Sequence, residues 1–331
     1  MLAVRVVVTG SSSHLGRRVV DALRAAGAAV FPVEVADDPE TWDDGEGPLD
    51  VLVDLGSSDH DRLAARRQSA TEHAVAALDA ADLLDVERVV FVSSAMVYGP
   101  SVNNQVPLTE EAVLRPDVEF VFARQLATAE ATVDEWRQAR PDRHACVLRP
   151  AVAVAHGAHS TLAAALVAGL GRRFAELDPP AQFLHLDDLA AAIVRAVSDR
   201  LDGVYNVAPD GWVAGERVRA LSGEGPRLPM PERAAELVGR LRWRFLRGPI
   251  SPGLRSYTRA SWVVSNGKLR ATGWRPTVTN EQAYVEATDA RWWTMLSPKR
   301  RQELSLGAGA VVLATMTSIA VLVVRRILSR R

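Results

Sequence analysis

Two features near the start of the chain combine residue types and spacing that could do chemistry. In "VVVTGSSSHLGRR", Gly10 and Gly16 stand where an apolar run gives way to a helical pattern. A glycine turn at such a junction turns backbone amides toward an anion, and the helix N-terminus adds partial positive charge, an arrangement that holds a pyrophosphate. Glu34 ends the next apolar run, eighteen residues after Gly16. A carboxylate there can accept the hydroxyls of an adenosine ribose and would repel a 2'-phosphate, which favours NAD over NADP. The bland alternative for Glu34 is a solvated carboxylate at a strand end. The glycine turn alone is a weak motif.

The elements that would position these residues follow from hydrophobic period. Residues 1 to about 200 alternate short apolar runs with helical patterns, which predicts an α/β fold with a Rossmann-type, doubly wound parallel sheet. "AVRVVVTG" (Ala3 to Gly10) is the first strand, and "HLGRRVVDALRAAG" is a helix stopped at Gly27. "AAVFPVEV", "LDVLVDLG", "VERVVFVSS", "HACVLRPAVAV" and "GVYNVA" are further strands. A long amphipathic helix, "DRLAARRQSATEHAVAALDAADL", precedes the fourth strand. From 209 to about 290 the chain is richer in Gly, Pro, Trp and Arg, which suggests a smaller lobe beside a sheet domain of residues 1–208.

With 331 residues and 48% hydrophobic content the chain can bury a large core, so a disordered or fibrous class is excluded. A formal net charge of -1 gives no field that would draw it to nucleic acid. The single cysteine, Cys146, precludes an internal disulfide, fits a reducing cytoplasm, and lies in an apolar run where a buried core residue is favoured over a nucleophile. No metal-ligand pattern stands out. Two lysines among 39 basic residues point to a GC-rich bacterial genome. The N-terminus starts directly on a strand, without signal-peptide architecture.

Several stretches then line up with one family. The chain resembles the extended short-chain dehydrogenase/reductases, the NAD-dependent epimerase/dehydratase group, from residue 3 to about 285. The opening is similar to that family's TGxxGxxG, with Thr9, Gly10 and Gly16 in place. "SSAMVYGP" matches its active-site Ser/Thr at Ser94, just before VYG. "LRP" (Leu148 to Pro150), "FLHLDDLAAAIVRAV", "GVYNVAPD" and "LRATGWRPTVTNEQAY" resemble its later segments in order. The resemblance implies a dinucleotide held by Thr9, Gly10, Ser13, His14, Leu15, Gly16, Glu34, Leu55, Gly56 and Pro150. Ser13 stands at the family's middle glycine, so a side chain is expected near the pyrophosphate, with weakened binding.

The larger departure is "EFVFARQLATAE", Glu119 to Glu130. The family has Tyr-x-x-x-Lys here, two residues on one helical face, where the ammonium lowers the phenol pKa and holds the nicotinamide ribose. Aligned on Glu130, Phe122 stands at the Tyr position and Leu126 at the Lys position. No Tyr-x-x-x-Lys occurs anywhere in the chain. Loss of a positioned acid/base costs ~10²- to 10⁴-fold. The expectation is therefore a NAD-binding protein without ordinary oxidoreductase activity, a sensor or a partner of a membrane enzyme. The alternative is an active epimerase, dehydratase or reductase acting on a nucleotide-sugar or lipid-linked substrate. In it Ser94 would polarise a carbonyl, and Tyr257 or His185 would supply the proton. A purely structural protein with an empty pocket is the third option. The family's dimer interface suggests a homodimer through the helix bearing Phe122.

The C-terminus has its own character. Residues 304–324, "LSLGAGAVVLATMTSIAVLVV", pass without a charge, enough helix to cross a ~30 Å hydrocarbon core at ~1.5 Å per residue. A membrane span is expected rather than a buried core helix, joined by a basic, aromatic linker (291–303) and followed by a basic tail (325–331). This is a tail anchor, with the folded part expected in the cytoplasm. "RAAELVGRLRWRFLRG" (Arg233 to Gly248) is either a helix on an anionic membrane surface or a lobe helix with solvated arginines.

Overall fold

The computed structural model describes residues 4–34, 37–42, 45, 47–56, 70–157, 163, 166–167, 179–221 and 254–288. The chain divides into two compact units: 1–222 with 229–288, and 223–228 with 289–331. The second lies outside the described residues, and so do the expected span at 304–324, its linker and tail, and the basic helix at 233–248. Among the described residues no helix is long and apolar enough to cross a membrane.

The first unit is built on six parallel strands: β1 (Arg5–Thr9), β2 (Ala29–Val33), β3 (Val51–Asp54), β4 (Arg88–Val92), β5 (His144–Pro150) and β8 (Gly203–Val207). Their order across the sheet is β2-β1-β3-β4-β5-β8. Continuous apolar runs such as RVVVT suit a sheet covered on both faces. Val6 and Val8 point to one core, with Leu15, Val19, Leu189 and Ile193, whereas Val7 points to the other, with Ala74, Ala77, Leu126 and Val133. This period of two places α1 (His14–Ala25) and α4 (Leu186–Ser198) on one face, and α2 (Ala70–Leu83) and α3 (Val121–Ala139) on the opposite one.

The expected strand over "HACVLRPAVAV" divides in two. After Pro150, Ala151 bonds its N–H to Val207 O at 2.9 Å, and the chain then leaves the main sheet. β6 (Val152–Val154) pairs in parallel with β7 (Phe183–His185) in a separate two-stranded sheet. Period alone could not show this, because both pieces are apolar and buried on each side. The described lobe residues form a third apolar cluster, in which Tyr257 and Tyr284 pack with Met96 and Phe183.

Two late motifs have clear structural work. The Asp188 carboxylate, 1% exposed, accepts from Thr277 N at 2.9 Å, Thr277 Oγ1 at 2.6 Å and Val278 N at 3.1 Å. Trp274 Nε1 donates to the Asp188 carbonyl at 3.3 Å. "LDD" and "GWRPTVT" are thus two halves of one joint.

Candidate functional site

The strand order reverses around β1, so a crevice opens beyond the carboxyl ends of β1 and β3, the position where open α/β sheets bind ligands. Gly10 ends β1 with φ +66°, and a Cβ there would lie 3.1 Å from Gly56 N. At Gly16 a Cβ would fall 2.3 Å from Gly10 O, so only glycine lets α1 start this close to the turn. Beneath the turn the Thr9 hydroxyl donates to Asp54 Oδ1 at 2.6 Å and accepts from Leu55 N at 3.3 Å. Gly56 N also donates to Asp54 Oδ1, at 3.0 Å. Asp54 is 1% exposed, and burial pushes its carboxyl above the usual carboxylate range. Its Oδ2 meets no hydrogen-bond donor among the described residues. Thr9, Leu55 and Asp54 therefore set the shape of the turn from below.

Ser13 is the N-cap of α1. Its Oγ accepts from Gly16 N at 2.8 Å, so the side chain that was expected to face the pyrophosphate is turned onto the helix's own amide. Glu34 is engaged as well: Oε1 accepts from Ser12 N at 2.9 Å and from Ser11 Oγ at 3.3 Å. The carboxylate ties the turn to the end of β2 through Ser11 and Ser12. Leu15 is buried, and His14 Nδ1 lies 3.0 Å from Arg17 Nη2, so the guanidinium donates and the ring accepts. Pro150 closes β5, opposite Val207.

Ser94 lies at the carboxyl end of β4. Its Oγ accepts from Met96 N at 3.2 Å as N-cap of a 3₁₀ turn (Ala95–Tyr98), which leaves its O–H to donate. Gly99 follows with φ +72°; a Cβ there would overlap Arg115 O at 1.8 Å.

The α3 face toward the protein consists of Ala123, Leu126, Ala129, Glu130, Val133 and Trp136. Leu126 has no exposed surface and belongs to an apolar cluster with Val97, Ala129 and Val133, against which Phe122 packs half-buried. Phe122 meets Phe120 edge-on at 5.9 Å, and Phe120 meets Tyr257 at 5.3 Å. Neither α3 position carries a titratable group.

Tyr98, Tyr205, Tyr257 and Lys268 are each engaged with partners of their own. Tyr257 Oη donates to Met96 O at 2.9 Å and accepts from Asp117 N at 3.3 Å, and burial pushes its phenol pKa up. Tyr98 belongs to a buried network described below. Tyr205 lies under the Lys268 ammonium, 4.4 Å from the ring centroid, and Lys268 donates to Val204 O at 2.7 Å. That contact sits three residues short of Val207, away from the carboxyl ends of the strands. His185 caps α4 through Nδ1, which accepts from Asp187 N at 3.2 Å, and its Nε2 lies 3.4 Å from Glu286. Among the described residues no cluster of His, Cys, Asp and Glu could hold a metal ion.

The model of the "NAD dependent epimerase/dehydratase family" matches residues 6–208. The chain belongs to this family. Uncharacterized proteins of Mycobacterium tuberculosis and Mycobacterium bovis are each 25% identical to it over 217 residues, 65% of this chain and 57% of theirs. The match thus spans little more than half the length of these curated relatives. Among solved structures, the UDP-glucose 4-epimerase of Thermus thermophilus, in complex with NAD, has a TM-score of 0.61 at 19% identity, covering 86% of this chain and 97% of that one. RMD from Pseudomonas aeruginosa, complexed with NADPH, has a TM-score of 0.60 at 20% identity over 86% and 96%. At such identities the likeness shows the fold alone.

Within this family member the sequence missed one prominent assembly behind the site. Glu130 joins Arg149 and the Ser93 hydroxyl, Arg149 Nη1 donates to Tyr98 Oη at 2.8 Å, and Tyr98 Oη donates to Asn206 Oδ1 at 2.8 Å. The four residues Tyr98, Glu130, Arg149 and Asn206 come from the Ser94 turn, α3, β5 and β8. Three are polar residues in otherwise apolar runs, the one signal that could have flagged them.

Proposed function

We propose that this chain is a membrane-anchored, NAD-binding member of the epimerase/dehydratase family that does not turn the dinucleotide over by a Tyr–Lys route. One observation carries the proposal: Leu126 is wholly buried among apolar side chains on the α3 face, with Phe122 one turn before it. Hydride exchange at a carbonyl needs a proton delivered or removed nearby, and neither side chain can do it.

A dinucleotide fits the turn. At Gly16 a Cβ would fall 2.3 Å from Gly10 O, and Gly10 holds φ +66°, so the turn presents bare backbone at the crevice. The relatives from Thermus thermophilus and Pseudomonas aeruginosa are described as complexes with NAD and NADPH. Glu34 supports NAD, since a carboxylate held at the end of β2 would repel a 2'-phosphate. When bound, the dinucleotide would supply the hydride chemistry. The protein's own part is to orient it through the turn amides and to present Ser94. Residues 304–324 anchor the folded part to a bilayer from the cytoplasmic side, where it serves as a sensor or as the partner of a membrane enzyme.

Calorimetric titration of the full-length protein with NAD and NADP tests this. NAD should bind more tightly than NADP, and no binding of either at millimolar ligand removes the cofactor claim. In a second reading, the uncommitted Ser94 O–H polarises a substrate carbonyl in an enzyme of altered mechanism. It requires that Ser94→Ala reduce a measured turnover.

A further inference from the structure

The buried carboxyl groups of this molecule are not treated alike. Donors reach both oxygens of Asp188, from Thr277 and Val278, and both oxygens of Glu130, from Arg149 and Ser93. Asp54 is as deeply buried as Asp188, yet its two donors, Thr9 Oγ1 at 2.6 Å and Gly56 N at 3.0 Å, both fall on Oδ1. Its Oδ2 is buried and meets no donor among the described residues. Burying an ionised carboxylate with one oxygen unpaired is costly, whereas a protonated carboxyl carries its own O–H at that oxygen. Burial also pushes this carboxyl above its usual range.

The place of Asp54 gives that proton a consequence. Asp54 lies opposite Thr9 in the β1–β3 register, and Thr9 leads directly into Gly10. Gly56 N, the second donor, lies 3.1 Å from where a Cβ on Gly10 would stand. A single oxygen thus joins the two strand ends that flank the crevice, beside the turn that opens α1, where a helix N-terminus attracts an anion. The other ionisable groups of the turn are turned to partners of their own: Glu34 to Ser11 and Ser12, Arg17 to Ser12 O and His14, and Arg18 to Asp187. On its far side Asp54 faces Phe91 of β4 in register. From α2, His73 acts on Asp54 by charge, favouring the ionised form, while its Nδ1 is buried without a hydrogen-bond partner among the described residues. A negative charge at Asp54 would oppose the partial positive charge of the α1 N-terminus and repel a pyrophosphate held there.

We propose that Asp54 is a proton-linked positioning residue of the crevice: protonated, it ties β1 to β3 and lets an anionic pyrophosphate settle on the turn, and ionised, it drives that ligand off. The proposal rests on the dinucleotide reading and adds its regulation. Affinity for the ligand is then set by pH through a group that the ligand does not touch.

The full-length protein in lipid nanodiscs is titrated calorimetrically with NAD between about pH 5 and pH 9. Wild-type affinity should fall about tenfold or more as pH rises, and Asp54→Asn, which keeps an acceptor for Thr9 and Gly56 but cannot ionise, should bind equally across the range. The same fall in Asp54→Asn would assign the effect to His14 or His73 and overturn the proposal. Urea unfolding reads the proton without ligand. The folded chain keeps a proton that an unfolded aspartate has released, so wild type should lose stability relative to Asp54→Asn as pH rises, by up to about tenfold in the folding constant per pH unit. A difference independent of pH overturns the protonated Asp54. If Asp54→Asn does not fold by circular dichroism, Thr9→Val reads the same group. Loss of the hydroxyl that favours the ionised form should move the fall in affinity to higher pH, and an unmoved midpoint overturns the proposal. NAD heat that does not change with pH sinks this linkage alone, whereas no NAD heat at any pH sinks the dinucleotide reading and the linkage with it.

Discussion

The Arg149 guanidinium meets the Glu130 carboxylate through Nη2 to Oε2 at 2.6 Å and Nε to Oε2 and Oε1 at 3.0 and 3.1 Å, with both residues 6% exposed. Ser93 Oγ donates to the same carboxylate at 2.5 Å. This pair bolts α3 to β5 and, through Ser93, fixes the backbone next to Ser94.

Removing one partner leaves the other charge buried. Glu130→Ala should therefore cost about 3–5 kcal/mol in urea unfolding. The double change Glu130→Leu with Arg149→Met should cost clearly less than the sum of the single ones, because it leaves no uncompensated charge. Single changes that cost under ~1 kcal/mol would show that the pair is not buried in solution.

Much of this was legible beforehand. The strands and Gly27, which stops α1 at φ +87°, follow from period and punctuation. So do Gly10 and Gly16, because a turn this tight admits no side chain. What was not legible depends on contacts between distant segments. Glu34 turns back to Ser11 and Ser12, and Arg149, Tyr98 and Asn206 converge from three elements. Neither has a local pattern, since the partners stand far apart in the chain, whereas the Ser13 cap on Gly16 N does have one, a serine directly before a helical run.

The glycine turn yields a test that separates shape from stability. At Gly16 a Cβ falls 2.3 Å from Gly10 O and 2.7 Å from Ser11, all backbone atoms that cannot swing away. Gly16→Ala should open the turn, lose measurable NAD binding by calorimetry and cost roughly 1–3 kcal/mol. Gly47→Ala, with nothing within 4 Å of its Cβ, should leave both unchanged. Equal NAD affinity in both variants would place the ligand elsewhere.

Cys146 has no exposed surface, and burial pushes its thiol up to about 12 from the 9.0 of an exposed thiol. Between these values the unfolded chain releases a proton that the folded chain keeps, so stability should fall as pH rises through this window. Cys146→Ala should remove one proton from that slope, although it also leaves a small void. In the native protein a thiol reagent should label Cys146 only as fast as the chain opens, and rapid labelling at pH 8 would contradict its burial.

The most direct test of the degenerate site is to rebuild it. Leu126→Lys would place an ammonium among Val97, Ala129 and Val133. Glu130, one turn on, is already bound by Arg149 and Ser93. Burial would lower the pKa of such a lysine, and the variant should lose about 3 kcal/mol or more in urea. Phe122→Tyr adds a phenol to a half-buried ring that packs on Phe120, and should cost under ~1 kcal/mol. The double variant should show no NAD-dependent hydride transfer, because the new ammonium lies in an apolar cluster and cannot tune the phenol. Wild-type turnover that falls on Phe122→Ala, measured as NADH absorbance, would refute the proposal that the inherited proton route is gone.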